Sequence, residues 1–223
     1  MIAHFLVPTM NRVEPNLPPK KGRPLSFDRE VALRQAMLLF WQHGYEATSL
    51  KDLTSALGVP PSSIYSAFGD KKGLFLEAVD HYLSGPVTSE TIIAQAATAR
   101  DAASKLMLAA ATGFTGTDTP KGCLLASAAI SCSDSAADVK EELSVRRRAI
   151  ESILTLRIDR AIRSGEIANT SDAESLAAHT MAVIQGMSIL ARDGAKREKL
   201  VRLAKTAILV WPDPAEKRAP RGT

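Results

Sequence analysis

The sequence predicts an all-α protein, on three observations. Apolar residues recur at helical spacing through most of the chain between residues 28 and 211. No run of strict apolar-polar alternation is long enough to predict a strand. Glycines, prolines and capping residues separate the helical segments from one another.

The first two helices are marked by their caps. The first is predicted over about residues 28–43, with Asp28 as its N-cap and Gly44 as a left-handed stop. The second follows Ser49, with Asp52 three residues on in a capping-box arrangement. These capping residues predict the ends of the first helix and the start of the second to within a residue or two.

The next two helices complete a compact module. Pro61 occupies the favoured first position of the third helix, whose inward residues are Ile64 and Phe68, and Asp70 caps the fourth. Two short helices around a glycine-centred turn, after a longer first helix, are typical of a three-helix helix-turn-helix module. We therefore predict such a domain over residues 23–70.

Beyond Pro86 the helical pattern continues. The predicted segments are 88–114 in one or two pieces, 122–133, 136–164, 172–191 and 196–211. The segment 172–191 is apolar on almost every side and therefore has to be covered on every side. We expect an antiparallel helical domain over residues 71–211.

Composition and charge exclude several classes. The chain has 223 residues, 45% of them apolar and 23% charged, which excludes wholesale disorder, collagen and a disulfide scaffold. Its longest charge-free stretch is too short and polar for a membrane span, and its start lacks the basic region of a secretory signal. We expect a soluble, cytoplasmic protein with no membrane partner. The net charge of +4 does not by itself identify a nucleic-acid partner.

The two ends of the chain differ from its middle. The first 25 residues contain five prolines. Residues 1–22 are predicted to form a flexible basic arm, and residues 212–223 a flexible tail. The basic residues at the end of the first segment are Lys20, Lys21 and Arg23.

Six short runs between residues 23 and 82 form a recognisable pattern. They are Gly44-Tyr45, Thr48-Ser49-Leu50, Leu57-Gly58-Val59, Ile64-Tyr65, Ala67-Phe68 and Lys71-Lys72-Gly73-Leu74-Phe75. In residue type and spacing they closely resemble the DNA-binding domain of TetR/AcrR-family transcriptional repressors. The later helices resemble that family's ligand-binding and dimerisation domain more loosely. The resemblance implies a homodimer that binds a palindromic double-stranded operator, needs no cofactor, and is released by a small-molecule effector.

The third helix leaves one face for DNA once its two inward residues are set aside. The residues on that face are Pro61, Ser62, Ser63, Tyr65, Ser66 and Ala67. The resemblance implies phosphate contacts from the Tyr65 hydroxyl and from Lys71. Thr48 and Ser49, at the opening of the second helix, are further candidates. A packed aromatic ring and a solvated charge are the alternatives for Tyr65 and Lys71.

Base readout by this face is limited. Residues 61–67 include no Arg, Lys, Asn or Gln, the side chains that make bidentate contacts with bases. Readout is then expected from serine hydroxyls, the Ala67 methyl group and DNA shape. We expect the basic arm to compensate by entering the minor groove.

The resemblance also locates the dimer interface and the effector site. It places the interface on helices 172–191 and 196–211; burial of 172–191 within one monomer is the alternative. Candidate effector contacts are the apolar and adaptable residues Met107, Phe114, Cys123, Met181 and Met187. Plain core packing is the alternative for each of them.

The two cysteines suggest a second mode of control. On a continuous helix, Cys123 and Cys132 would lie on opposite faces about 13–14 Å apart, too far for a disulfide or a shared metal ion. Cys123 follows Lys121 at a predicted helix N-terminus, which favours a thiolate. Its Gly-Cys-Leu context resembles TetR branches that include thiol-reactive and metal-responsive sensors. The alternative is that both are small buried hydrophobes.

Motifs for other classes are missing from the sequence. It contains no P-loop, no Rossmann glycine fingerprint, no HExxH and no G-x-S-x-G. Its four histidines are dispersed, so no metal site is predicted. We expect a protein that is not an enzyme. A helical protein-interaction scaffold without DNA binding is the alternative from a different class.

Overall fold

The computed structural model describes residues 27–85, 87–128 and 133–212. Within these ranges the chain is helical and contains no strand, which confirms the all-α prediction. The helices are α1 (Arg29–His43), α2 (Leu50–Leu57), α3 (Pro61–Phe68), α4 (Lys71–Leu83), α5 (Ser89–Gln95), α6 (Ala99–Gly113), α7 (Leu124–Ser127), α8 (Ala137–Arg163), α9 (Ala173–Arg192) and α10 (Arg197–Ala207). The arm residues Lys20, Lys21 and Arg23, the tail and Cys132 lie outside the described residues.

The predicted N-caps of the first two helices are confirmed, whereas Gly44 ends α1 with φ +86° and ψ 167°, outside the left-handed helical region. The Asp28 carboxylate accepts hydrogen bonds from the N–H groups of Glu30 and Val31, at 2.9 and 3.1 Å, and so begins α1. Ser49 and Asp52 form the reciprocal capping box of α2. Because these bonds satisfy backbone donors at the helix start, local sequence alone determines where both helices begin.

One predicted helix differs in its described part. Of the predicted segment 122–133 the structure describes residues 122–128 and 133, and among these only Leu124–Ser127 is helical, a single turn preceded by Cys123. The opposite-face geometry predicted for Cys123 and Cys132 involves residues outside the described ranges and stays a prediction.

The first core joins the N-terminal helices to the start of the C-terminal domain. Phe40, Leu53, Ile64 and Phe75 are fully buried, and the rings of Phe40 and Phe75 meet edge to face at 5.0 Å. Leu124, Leu125 and Leu143, from α7 and α8, belong to the same cluster. The helix-turn-helix module therefore packs directly onto the helices that follow it.

The second core holds the C-terminal helices together. Leu154 and Ile158 of α8 pack with Ala102 and Ala103 of α6, and α9 covers them. Helix α10 packs through its buried Leu200 and Ala204 against α6 and α9. In the described residues, no helix has both the length and the apolar character needed to span a membrane.

Candidate nucleic-acid interface and internal cavity

Helix α3 presents the face that the sequence predicts. Ile64 is fully buried and Phe68 nearly so, because both pack into the first core. The outward residues are exposed or half-buried, and they are Pro61, Ser62, Ser63, Tyr65, Ser66 and Ala67. No side chain caps the start of this helix, since Pro60 stands at that position. The exposed face of this short helix thus presents serine hydroxyls, and the half-buried Ala67 at its edge also packs against the first core.

Tyr65 and Lys71 lie beside that surface. Tyr65 is 51% exposed, so its ring is not a packed core aromatic. The Lys71 ammonium lies 4.5 Å from the centroid of the Tyr45 ring and 3.4 Å from the Glu46 carbonyl oxygen. This cation–π contact holds a positive charge at the start of α4, where the helix dipole also favours an anion.

The two residues that open α2 differ from each other. Ser49 is exposed, although its hydroxyl already serves the capping box with Asp52. Thr48 is only 1% exposed, and its hydroxyl donates a 2.7 Å hydrogen bond to the Gly44 carbonyl oxygen. The prediction of a phosphate contact by the Thr48 side chain is therefore wrong, because this bond turns the side chain inward.

Two basic residues were not singled out from the sequence. Lys51 is exposed in the first turn of α2, where a phosphate would also find the helix dipole. Arg29 forms an ion pair with Glu77 at 2.5 Å, and its guanidinium lies 4.6 Å from the centroid of the Phe68 ring. Arg29 thereby ties α1 to the end of α3 and to α4. The partners of Arg29 are far away in the sequence, so no local pattern predicts this role.

An internal cavity of about 290 Å³ lies where the N-terminal module meets the later helices. Its walls are mostly apolar and include residues from seven helices: Trp41 of α1, Tyr82 of α4, Ile92 of α5, Leu106 and Ala110 of α6, Leu125 of α7, Ile150 of α8, and Met181 and Ile184 of α9. A site of this kind can enclose a small apolar molecule.

Three of the five predicted effector contacts line this cavity, and two do not. Phe114, Cys123 and Met181 line it. Met107 and Met187 do not, and both are fully buried in other parts of the core. The structure gives no support to these two as effector contacts, because helical spacing identifies an inward face without saying whether that face meets a cavity or another side chain.

The loop before α7 connects the cavity wall to α9. Gly122 adopts φ +82°, and a Cβ there would lie 2.8 Å from the Ser188 carbonyl oxygen. The Cys123 N–H donates to the Ser188 hydroxyl at 2.8 Å. Arg192 donates to the Trp41 and Gln42 carbonyl oxygens, both at 3.3 Å. The end of α9 is therefore bonded to the end of α1.

Comparison with known proteins gives a consistent result over both halves of the chain. The family model described as bacterial regulatory proteins of the tetR family matches residues 32–78. The model described as the tetracyclin repressor-like C-terminal domain matches residues 93–207. This chain belongs to the TetR family.

Individual proteins similar to this TetR-family chain are also named as transcriptional regulators. It is 37% identical over 195 residues to the HTH-type transcriptional repressor ComR of Escherichia coli (strain K12), covering 86% of this chain and 93% of ComR. A cysteine-substituted form of the TetR family transcriptional regulator CifR, complexed with 26-base-pair operator DNA, is 36% identical. It superposes with a TM-score of 0.81 over 86% of this chain and 100% of that one. A TetR regulator from Chloroflexus aurantiacus, at 23% identity and a TM-score of 0.71, shares the fold.

The thiolate expected at Cys123 of this TetR-family protein is not supported. Burial raises the pKa of the Cys123 thiol, and a hydrogen bond from the Tyr82 hydroxyl, at 3.6 Å from Sγ, opposes that shift only in part. Lys121 does not pair with the sulfur; its ammonium donates to the Thr115 and Gly116 carbonyl oxygens. The described residues also hold no cluster of three or more His, Cys, Asp or Glu suited to a metal ion.

Alkylation of Cys123 is expected to be slow at neutral pH. Because burial raises the pKa of this thiol above its ordinary value, only a small fraction is thiolate at neutral pH, and the rate should increase only in the alkaline range. The measurement is the iodoacetamide rate by mass spectrometry between pH 6 and 11, in a Cys132→Ser background. A midpoint below pH 8 would contradict the buried-thiol assignment.

Proposed function

We propose that this TetR-family chain is a dimeric repressor that binds a double-stranded DNA operator through α3 and leaves it when a small molecule fills the internal cavity. The observation that carries the DNA-binding role is the exposed, polar face of α3, held on a rigid core with Tyr65 and Lys71 beside it. ComR is named a repressor and CifR is described in complex with operator DNA, which supports the same role here. The protein acts by binding rather than catalysis, in the cytoplasm.

The protein recognises the operator mainly through electrostatic contacts with phosphates and through indirect readout of DNA shape. Helix α3 offers serine hydroxyls and the Ala67 methyl group to the bases, while Tyr65 of α3, Ser49 at the start of α2 and Lys71 at the start of α4 contact the phosphates. Phosphate contacts fix register without reading sequence. Specificity therefore depends on DNA deformability and on the arm residues Lys20, Lys21 and Arg23 in the minor groove.

The dimer forms through α8 and α9. Each helix has a row of exposed, mostly apolar or small residues at alternating spacings of three and four: Val145, Ala149, Ser152 and Leu156 on α8, and Ser175, Ala178, Ala182, Gln185 and Ile189 on α9. Gln185 is the polar member of the α9 row and also lines the cavity. Leu156 and Ile189 are 61% and 55% exposed. A surface groove connects the two rows and is lined by Ser152, Leu156, Ser175 and Ala178 together with the charged residues Arg148, Glu151, Asp172 and Glu174.

The sequence predicts a dimer interface on the segments 172–191 and 196–211, which correspond to α9 and α10. In the proposed dimer α9 stays in the interface and α8 takes the place of α10. The inner side of α10 is occupied by α6, and its exposed side carries the charged residues Arg197, Glu198, Lys199, Arg202 and Lys205. Small and apolar residues at heptad-like spacing suit close helix packing better than a highly charged surface. A two-fold axis through the α8–α9 face would set two copies of α3 toward half-sites one DNA turn apart, about 34–36 Å.

Replacing Lys71 with alanine is expected to weaken operator binding by about tenfold and to lower the salt dependence by about one unit of slope. Loss of one phosphate contact should lower the affinity for every DNA sequence by the same factor, because phosphates carry no information about the bases. The measurement is a mobility shift on DNA from the promoter next to the gene, at several salt concentrations.

Lys72→Ala is the matched control, since it removes the same charge one residue away. Lys72 is ion-paired with Asp138 at 2.5 Å and so faces α8. Its loss should leave the salt slope unchanged. If the unmodified protein does not bind the promoter fragment, the interaction-scaffold alternative is favoured. If Lys71→Ala and Lys72→Ala change the affinity and the salt slope equally, Lys71 has no specific role in the phosphate contact.

A further inference from the structure

Three consecutive arginines stand on α8, and the middle one differs from its neighbours in the group that it bonds. Arg146 and Arg148 each form ion pairs with carboxylates, at 2.6 to 2.8 Å. The half-buried Arg147 instead donates to a neutral acceptor, the Leu125 carbonyl oxygen, at 2.6 Å. Within the described ranges no carboxylate is paired with Arg147, so its positive charge is not neutralised by the protein.

Arg147 is also the one charged residue among the described residues that line the cavity. Leu125 and Cys123 line the cavity as well. The charge of Arg147 is close enough to the Cys123 thiol to oppose, in part, the rise of its pKa that burial causes. These two relations place the guanidinium at the cavity wall. Because the walls are mostly apolar, an anion inside the cavity is attracted to this group more strongly than in water.

The other polar residues of the cavity are neutral and compatible with an anion. The Thr88 hydroxyl is engaged with Thr91 in the capping box of α5. The hydroxyl of the half-buried Ser89 and the amide of the exposed Gln185 can each donate a hydrogen bond to an oxygen atom. The buried part of the wall is apolar and includes Leu106, Phe114 and Met181, each at most 6% exposed.

We infer that the cavity binds a small amphipathic carboxylate, whose acidic group pairs with the Arg147 guanidinium and whose apolar part occupies the buried interior. The inference rests on the proposed function, in which this cavity is the effector site. The volume of about 290 Å³ is at the small end of the range for ligand pockets, about 300–1,000 Å³. Arginine suits this role because its planar set of donors matches the two oxygens of a carboxylate.

Arg147 also connects this site to the DNA-binding module. Its bond to the Leu125 carbonyl oxygen holds α8 to α7. At the end of α7, the Ala128 carbonyl oxygen accepts a 2.8 Å hydrogen bond from the Tyr45 N–H, and the Tyr45 ring contacts the Lys71 ammonium. A carboxylate that draws the guanidinium away from Leu125 therefore loosens the contact that positions Tyr45 and Lys71.

The test measures the binding of 3-phenylpropanoate, 4-phenylbutanoate and 5-phenylpentanoate, and of the primary amide of each, by calorimetry without DNA. Each acid has nearly the same shape as its amide and differs from it in charge at neutral pH. At least one carboxylate should bind about tenfold tighter than its amide, because a charge-assisted hydrogen bond is stronger than a neutral one. In the methyl ¹³C spectrum of the six methionines, it should shift the signal of Met181, assigned with Met181→Leu.

The variants complete the test. Arg147→Met keeps a long side chain and removes the charge, so the preference for the carboxylate should disappear. Arg160→Met is the matched control and should retain the preference, since Arg160 is an exposed arginine of the same helix that does not line the cavity. Equal affinity for acids and amides, no binding of any carboxylate, an unmoved Met181 signal, or equal behaviour of the two variants overturns the inference. The comparison of probes on the unmodified chain decides even if Arg147→Met fails to fold.

Operator release is measured separately, by mobility shift with each probe added. A carboxylate that binds beside Met181 with the expected preference but does not release DNA leaves the inference standing and removes the effector role of the cavity. Release by an amide and not by its acid would overturn the inference and leave the effector role in place.

Discussion

Gly73→Ala is expected to lower the free energy of unfolding by about 3 kcal/mol, to reduce the melting temperature by about 10 °C and to weaken operator binding at least tenfold. Gly73 is the third residue of α4, and its N–H donates to the capping carboxylate of Asp70 at 2.7 Å. A Cβ at this position would lie well inside van der Waals contact of the Phe68 carbonyl oxygen. That oxygen is backbone and cannot rotate away, so α3 has to move relative to α4.

The same replacement at Gly186 is the control for the change of residue type. Gly186 lies within α9, and a Cβ there would meet no atom within 4 Å. Alanine at that position should leave the melting temperature unchanged or raise it, since alanine is favoured over glycine in a helix by roughly 0.5–1 kcal/mol. Thermal unfolding and mobility shifts provide the comparison. Gly73→Ala with unaltered stability and operator affinity would mean that α3 does not depend on this close approach.

Leu156→Arg is expected to convert the dimer into a monomer and to reduce operator affinity by about a hundredfold or more. Leu156 is 61% exposed in the single chain, so arginine should fit the protomer without disturbing its core. In the proposed dimer the same change buries a charge beside its own two-fold copy, which is strongly unfavourable. Loss of the second α3 then removes the gain from binding two half-sites together, about 10²–10⁴ in affinity.

Sedimentation equilibrium measures the outcome against the monomer mass of 23.9 kDa. Thr206→Arg, on the exposed side of α10, is the matched control and should leave the mass of the dimer unchanged. The reverse result, with a monomer from Thr206→Arg and a dimer from Leu156→Arg, would restore α10 to the interface and remove α8. A monomeric unmodified chain at micromolar concentration would contradict the dimer itself.

The N-terminal module could be predicted closely because its signals are local. Asp28, Ser49 and Asp52 bond to backbone groups within three residues, so the helix starts follow from the sequence. The burial of Ile64 and Phe68 follows from helical periodicity in the same way. The short α7 shows the limit of this approach, because the apolar spacing predicts a helix from residue 122, whereas within the described residues 122–128 only Leu124–Ser127 is helical.

The candidate sites needed contacts between residues far apart in the chain. Thr48 looks like a surface hydroxyl in the sequence, and only its bond to Gly44 inside the folded turn makes it a structural group. The pKa of Cys123 was expected to fall through the helix dipole, yet burial against Tyr82 raises it. Desolvation outweighs a partial dipole charge when a thiol is enclosed.

The sequence by itself determined the all-α class, the helix-turn-helix module and the exposed face of α3, because caps, turns and helical periodicity act over a few residues. Only the tertiary structure decided where the cavity lies, that Phe114, Cys123 and Met181 line it while Met107 and Met187 do not, and that Arg147 belongs to its wall. A cavity is the space left when several helices pack imperfectly, so it depends on the shapes of residues distant in the chain, and no local pattern encodes it.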